Sequence, residues 1–364
     1  MKRRTLLLSG LGSAASAAGL ASGASRAAEL LDLPARQSAL ADQRLITGIA
    51  RAGAADGVLV AVGQRGHIVR STDGGRSWQQ VVAPVSIDLT AVRFVDARVG
   101  YATGHDGVVL GTRDGGASWT RLLDGRRVNA LVLDQMQHRA AASDATEQDR
   151  KLLDEARRNA DAGPDKPFLD LWFSDADNGF VVGAYGLAMR TGDGGRNWES
   201  WFDRVDNPGL LNLYALRAGG DALYAAGEGG LLLKLERGGQ RFNALGSPYK
   251  GSYFGLAATP AGMLAFGMRG HALLSGDAGS SWQAVETGLP ASIVAGEVDG
   301  AGTLALVDQG GNIALSRNGG RSFDRSNTQQ QRLPAAAAAF ANDSTLVVGG
   351  PRGLRTVALA LKDK

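Results

Sequence analysis

Ser71-Thr72-Asp73-Gly74-Gly75-Arg76-Ser77-Trp78 returns, nearly unchanged, as Thr112-Arg113-Asp114-Gly115-Gly116-Ala117-Ser118-Trp119 and as Ser275-Gly276-Asp277-Ala278-Gly279-Ser280-Ser281-Trp282. A fourth copy, Thr191-Gly192-Asp193-Gly194-Gly195-Arg196-Asn197-Trp198, places Asn in the hydroxyl slot. Two more have decayed: residues 316–323 carry Asn318 and Phe323, and residues 235–242 keep little beyond Gly238, Gly239 and Phe242. The pattern is Ser/Thr-x-Asp-x-Gly-x-Ser/Thr-Trp, the Asp-box. Its spacing has a physical reading. A short Asp side chain accepts backbone N–H groups across a tight turn, glycine supplies positive φ, and the aromatic ring returns to the core. Each copy is therefore a strand–turn–strand corner. Asp73, Asp114, Asp193 and Asp277 are expected to close turns, and Trp78, Trp119, Trp198 and Trp282 to anchor the core.

Upstream of each corner lies a second punctuation, Gly-x-x-Gly, at Gly63/Gly66, Gly104/Gly107, Gly183/Gly186, Gly227/Gly230 and Gly267/Gly270, with weaker copies at Gly311 and Gly350/Gly353. The second glycines stand at 66, 107, 186, 230, 270, 311 and 353, so the intervals are 41, 79, 44, 40, 41 and 42. A period of about 40 to 45 residues with four strand-like runs per unit is the signature of propeller blades. One unit reads Leu89–Phe94, Tyr101–Thr103, Val108–Thr112 and Ser118–Leu122, each apolar-rich and bounded by turn residues. Seven markers predict an all-β, seven-bladed β-propeller.

The interval of 79 holds residues 126–166, which lack an Asp-box and are rich in Ala, Glu, Asp, Lys and Arg. They predict a helical insertion between blades two and three. Glu147/Lys151 and Asp154/Arg158 have the favourable acid-first i,i+4 order, and Pro164 and Pro167 punctuate the end. The last unit offers strands near residues 334–340, 345–348 and 354–361 but no fourth. Residues 29–35 are expected to supply it, closing the ring by pairing the two ends of the chain and removing an exposed edge.

Lys2, Arg3 and Arg4 precede an apolar Gly/Ala/Ser-rich stretch that ends at Ser25-Arg26-Ala27, a small-x-Ala cleavage pattern. Residues 1–27 read as a removed signal, leaving residues 28–364 as the propeller. Arg3-Arg4-Thr5-Leu6-Leu7 resembles a twin-arginine signal, with Leu where Phe is usual; the twin-arginine and general secretory routes both remain open. The expected location is the periplasm. The net charge of +3 belongs to this segment, because four of the 39 basic residues lie in it and 35 remain against 36 acidic ones. Global charge gives no argument for a nucleic-acid partner. The absence of cysteine excludes disulfides and thiolate metal sites.

The boxes, with Leu89-Thr90-Ala91-Val92-Arg93-Phe94 and Gly104-His105-Asp106-Gly107, resemble the photosystem II assembly and stability factor family of cyanobacteria and chloroplasts, and more closely its exported relatives in other bacteria. The resemblance covers residues 29–361. It implies a seven-bladed propeller that binds and stages membrane-protein partners without catalysing a reaction. The insertion departs from the photosynthetic members, so the partner is left as a membrane-protein complex or transporter component.

Strand alternation puts the Gly-x-x-Gly turns and the blade-to-blade connections on one face and the Asp-box turns on the other. The former would present Arg65, His105, Asp106, Tyr185, Glu228, Met268, Arg269 and Arg352 as the candidate partner-binding face. Trp172, Phe173 and Trp201 fall outside the repeated aromatic slot and divide between blade packing and surface contact. His67, His105, His138 and His271 form no ligand spacing, so neither metal nor cofactor is expected. Asp-boxes also occur in sialidases, other glycosidases and sorting receptors. The alternative is thus a carbohydrate-active propeller, with Glu228, Tyr185, Arg269 and Arg352 meeting near the axis. No pair of carboxylates at glycosidase spacing is forced by the sequence. The expected state is a monomer.

Overall fold

The computed structural model describes residues 29–53, 57–326 and 333–359. The signal expected over 1–27 lies outside the described residues. Six antiparallel sheets have four strands in simple sequence order, as in blade one with Ile46–Arg51, Leu59–Gly63, Ile68–Ser71 and Gln79–Val81. The seventh, Ala337–Asn342, Thr345–Gly350 and Gly353–Ala358, has three. The first strand of every blade packs on the first strand of the next, and Ile46–Arg51 packs on Ala337–Asn342, so seven inner strands close around an axis. Because both faces of each sheet are covered by neighbours, the middle strands are buried throughout: Leu59–Gly63, Gly100–Gly104 and Gly179–Gly183 have no exposed residue. This explains their near-continuous apolar sequence, where a half-exposed sheet would alternate.

In blades one, two, three, five and six the corner between third and fourth strands is closed by its own side chains. The Ser71 hydroxyl donates to Asp73 Oδ1 at 2.8 Å while accepting the Gly75 N–H at 2.9 Å. Asp73 also accepts the N–H groups of Arg76 and Ser77, each at 3.0 Å, and the Ser77 hydroxyl at 2.6 Å. Thr112/Asp114/Ser118, Thr191/Asp193/Asn197 and Ser275/Asp277/Ser281 repeat the arrangement, and Asn318 substitutes for Asp in blade six. Trp119 and Trp198 donate their indole N–H groups to the Gly116 and Gly195 carbonyls, so the ring enters the core with its polar atom satisfied.

Residues 29–35 do not form the fourth strand of blade seven. Leu30–Asp32 is a 3₁₀ turn, and the segment crosses blade one instead: Ser86 N–H bonds the Leu30 carbonyl, Ala35 N–H bonds the Ala83 carbonyl, and Ser38 N–H bonds Gln80. Leu31 is buried against Ala83, Val85 and Ile87. At one end Asp32 pairs with Arg121 of blade two and with Arg126 at the start of the insertion; at the other, Asp42 and Gln43 fit against Gly353 of blade seven. Elsewhere the second glycine of a turn abuts the linker to the next blade, as Gly66 abuts Val85 and Gly230 abuts Tyr249. The N-terminal segment therefore stands in for the linker of blade seven, and its apolar Leu31 draws it over blade one.

The insertion is a pair of helices, α1 (Gly125–Ala141) and α2 (Glu147–Ala162). Asp124 caps α1 by accepting two N–H groups, and Thr146 with Asp149 forms a capping box on α2. Val128, Val132, Met136, Leu152 and Ala156 pack against Trp198, Phe202 and Phe168, fixing the hairpin to blade three. Lys151 pairs with Glu147 at 2.9 Å, but Arg158 takes Glu155 at 2.6 Å and leaves Asp154 to Arg157, so the second expected i,i+4 pair is replaced by two i,i+3 pairs.

Two outcomes follow for the frame. Leu31→Ala should lower the unfolding free energy by about 2–4 kcal/mol, measured by urea denaturation, because it empties a packed site under the strap. The Ser281 hydroxyl, its N–H and the Ser275 hydroxyl hold the Asp277 carboxyl down at about 2 against an ordinary 3.8. A lowered folded-state value means stabilisation that is present above 3.8 and is lost as the pH falls through about 2. Carboxyl-carbon NMR should give that midpoint, and Ser281→Ala should move it up toward 3.8.

Candidate partner-binding face

The turn between second and third strands has one construction in five blades. Gln64 to His67 closes with the His67 N–H on the Gln64 carbonyl at 3.0 Å, and both central residues are left-handed: Arg65 at φ 54° and Gly66 at φ 72°. Asp106–Gly107, Tyr185–Gly186, Gly229–Gly230 and Arg269–Gly270 repeat it, with φ from 53° to 86°. These are type I′ turns, whose first central position favours Asn, Asp or Gly. Blade four uses Gly there and blade two uses Asp. Blades one, three and five place Arg65, Tyr185 and Arg269 in a region that costs an L-residue roughly 1–2 kcal/mol.

A polar residue one position before the next blade's first strand staples four of these turns. Asp88 accepts the Arg65 N–H at 2.6 Å, Asn212 the Tyr185 N–H at 2.9 Å, Ser292 the Arg269 N–H at 3.1 Å, and Ser252 the Gly229 N–H at 3.4 Å. The repeat carries a signal for this set, a polar residue directly ahead of Leu89, Leu213, Tyr253 and Ile293. It was hidden because the position takes three side-chain types, Asp, Asn and Ser.

Arg65, His105, Tyr185, Arg269 and Arg352 are exposed, while Asp106, Glu228 and Met268 are half-buried. They stand one turn per blade around the rim and do not converge. Arg352 keeps an ordinary φ beside Pro351, in a turn of different construction. Tyr185 lies under Lys166, whose ammonium is 5.1 Å from the ring centre, so the end of the insertion joins this face. Glu228 accepts the Asn212 N–H at 3.2 Å, which ties it to the Tyr185 turn through the backbone. Of the aromatic residues outside the repeated slot, Phe173 stacks on Tyr101 and Trp201 is buried against Phe180 and Phe242, whereas Trp172 is half-buried. Among the described residues, no three His, Asp or Glu side chains gather as metal ligands.

The axis holds a group that sequence reasoning missed. Arg93 pairs with Glu297 at 3.1 Å and faces Asp170 at 3.7 Å, and Arg217 donates to Asp170 at 3.1 Å. The four come from the inner strands of blades two, six, three and four, and they line a cavity of about 130 Å³ with Tyr214 and Phe254. Burial pushes the Asp170 and Glu297 carboxyls up; for Arg93 the two carboxylates outweigh burial and hold it charged. Their signal was a charge in an otherwise apolar inner strand, as in Phe168-Leu169-Asp170-Leu171.

Against known proteins, the family model described as photosynthesis system II assembly factor YCF48 matches residues 28–131 and 156–323. The unmatched interval between them falls within the two helices of the insertion. No curated protein matches by sequence. Among solved structures the chain is similar to "YCF48 bound to D1 peptide", at 14% identity and TM-score 0.62 over 90% of this chain and 100% of that one. It is also similar to YCF48 from Cyanidioschyzon merolae (14%, TM-score 0.60, 87% and 96%) and to the WD40 propeller domain of Doa1 (11%, TM-score 0.58, 92% and 97%). The structural likenesses speak for the propeller alone, and Doa1 shows how widely that fold is shared. The family model, matched over most of the sequence, decides the kinship: the chain belongs to the photosynthesis system II assembly factor YCF48 family.

Proposed function

We propose that this propeller is an exported, non-enzymatic assembly factor that holds a peptide segment of a membrane-protein subunit on its Gly-x-x-Gly face. The observation that carries the reading is the placement of Arg65, Tyr185 and Arg269 at left-handed positions where Gly229 shows that glycine suffices. Strain kept at three exposed positions is a sign of use, since surface turns with no task would settle on the cheaper residue. Family membership supports the assembly role, and a relative bound to a D1 peptide supports a peptide segment as the thing held. The signal-like first 27 residues support export to the periplasm.

The carbohydrate-active alternative placed Glu228, Tyr185, Arg269 and Arg352 near the axis, but the groups that line the axial cavity are Glu297, Asp170, Arg93, Arg217 and Tyr214. Their cavity of about 130 Å³ is below the roughly 300 Å³ at which ligand pockets begin, and both carboxylates are engaged by arginines. That arrangement favours a strut across the axis over a sugar site.

Crosslinking in the native cell, followed by mass spectrometry, should recover one membrane complex reproducibly, and the Arg65→Ala/Arg269→Ala/Arg352→Ala variant should lose it. Retention of the complex by the variant, or cleavage of a glycan by the pure protein, overturns the reading. The strain argument gives a second outcome. Arg65→Gly and Arg269→Gly should each raise the unfolding free energy by up to about 1 kcal/mol while weakening partner recovery. A loss of stability in both variants would remove the argument.

A further inference from the structure

Arg70 and Arg190 hold the same place in blades one and three: each precedes the Ser or Thr of its corner and pairs across to the fourth strand, with Gln79 and Glu199. Arg70 reaches the next blade and donates its Nε–H to the Gly115 carbonyl of the blade-two corner at 2.8 Å. Arg190 reaches toward blade four, where the corner has decayed to Leu235-Glu236-Arg237-Gly238-Gly239-Gln240-Arg241-Phe242. The Gly239 N–H turns back onto the Glu236 carbonyl at 2.8 Å, and the Gly238 carbonyl, which aligns with that of Gly115, faces the Gln240 amide at 3.5 Å instead of Arg190. Among the described residues the Arg190 guanidinium makes no hydrogen bond. Its guanidinium lies over the rings of Phe180 and Trp201 at 6.0 and 5.8 Å, is 40% exposed, and is 3.8 Å from Glu199, which Arg204 holds at 2.9 Å.

The same decay opens the joint between the blades. In an intact corner the second glycine is pressed against the preceding blade, so that a methyl group on Gly75, Gly116, Gly195 or Gly279 would come within 2.8 Å of Val347, Val60, Leu122 or Leu245. A methyl on Gly239 would meet only its own strand, and one on Gly238 would meet nothing. What remains is a groove of about 520 Å³ walled by Trp172, Phe180, Arg190, Trp201, Leu223 and Arg237, on the face opposite the Gly-x-x-Gly turns. The Trp201 indole N–H in this wall is buried without an acceptor.

We propose that this groove receives a polypeptide turn of a partner protein, whose main-chain carbonyl takes the Arg190 Nε–H as Gly115 takes that of Arg70. The occupant is specified by the protein's own repeat: a glycine-containing turn narrow enough to lie between two blades, followed by an aromatic side chain for the Trp172 wall. A small anion would satisfy Arg190 but leave the apolar wall wet, and a flat partner surface could not enter.

The probe is an acetylated, amidated peptide with the sequence of residues 112–119, the corner that Arg70 grips, titrated into the full nitrogen-15-labelled chain. The Arg190 Nε–H resonance should move downfield in a saturable manner. Arg190→Met should weaken binding about tenfold, the loss of one charge-assisted hydrogen bond. Arg190→Lys, which keeps the charge without the fork, should fall between. Arg190 is partly exposed, so circular dichroism should show both variants folded. The Arg65→Ala/Arg269→Ala/Arg352→Ala variant should bind the probe like the parent, which separates this groove from the opposite face. An unmoved Arg190 resonance, or equal binding by Arg190→Met, overturns the proposal.

Discussion

A propeller blade cannot exist alone, because both faces of its sheet are apolar, and the corner between its third and fourth strands fits it to its neighbour. In blade one, Asp73 accepts N–H groups within its own turn, which holds Gly74 and Gly75 at positive φ and brings the backbone against Val347 of blade seven. A carboxylate used this way spends its hydrogen-bonding capacity locally and leaves the outside of the corner smooth enough to pack. The exposed corner thus governs the buried joint. Where the residues change, as in blade four, the joint changes with them: the sheet survives because its strands still pair, but the slot beside it opens.

The repeat was legible because each copy solves the same local problem, and local problems leave fixed spacings. Strand order, blade count and the helical insertion all followed from the glycine markers, the boxes and one stretch of different composition. Contacts between distant residues left weaker traces. Residues 29–35 were read as a strand by ring-closure logic, yet Leu31 finds a deeper site over blade one than an edge of blade seven would offer, and Asp32 finds two arginines beside it. The axial charges were invisible for the same reason: Arg93 and Glu297 are separated by most of the chain and meet only because the ring closes. The polar staples Asp88, Asn212, Ser252 and Ser292 were passed over because they share a task and a position but are spread over three side-chain types. On the candidate face, the sequence located the turns but carried no trace of the backbone strain within them.

The two faces use the blades differently. Around the Gly-x-x-Gly rim the backbone is uniform and the side chains vary, so that Arg65, Asp106, Tyr185 and Arg269 are displayed from one repeated mount. On the corner face the side chains are uniform where the turn must close, and variation takes the form of a missing part. A rim of this kind suits recognition spread over several blades, in which no single contact dominates. A missing corner suits insertion at one place, because the walls on either side already have the shape of what was lost.

The axial ion group bears on how such a ring stays closed when, among the described residues, its seventh blade has three strands and no strand from the N-terminal segment. Burying Asp170 and Glu297 is unfavourable by itself, as the upward displacement of both carboxyls shows, and a buried ion pair seldom stabilises more than an apolar pair of equal size. Its value is geometric. Arg93 from blade two reaches Glu297 in blade six, and Asp170 in blade three accepts both Arg217 and the Leu216 N–H of blade four. Apolar side chains filling the same 130 Å³ would tolerate a small rotation of one blade against another, whereas these contacts are lost within about 1 Å of displacement. The strap fixes blades seven, one and two from outside, and the ion group fixes six, two, three and four from within. Blade two is common to both, and the insertion begins directly after its last strand.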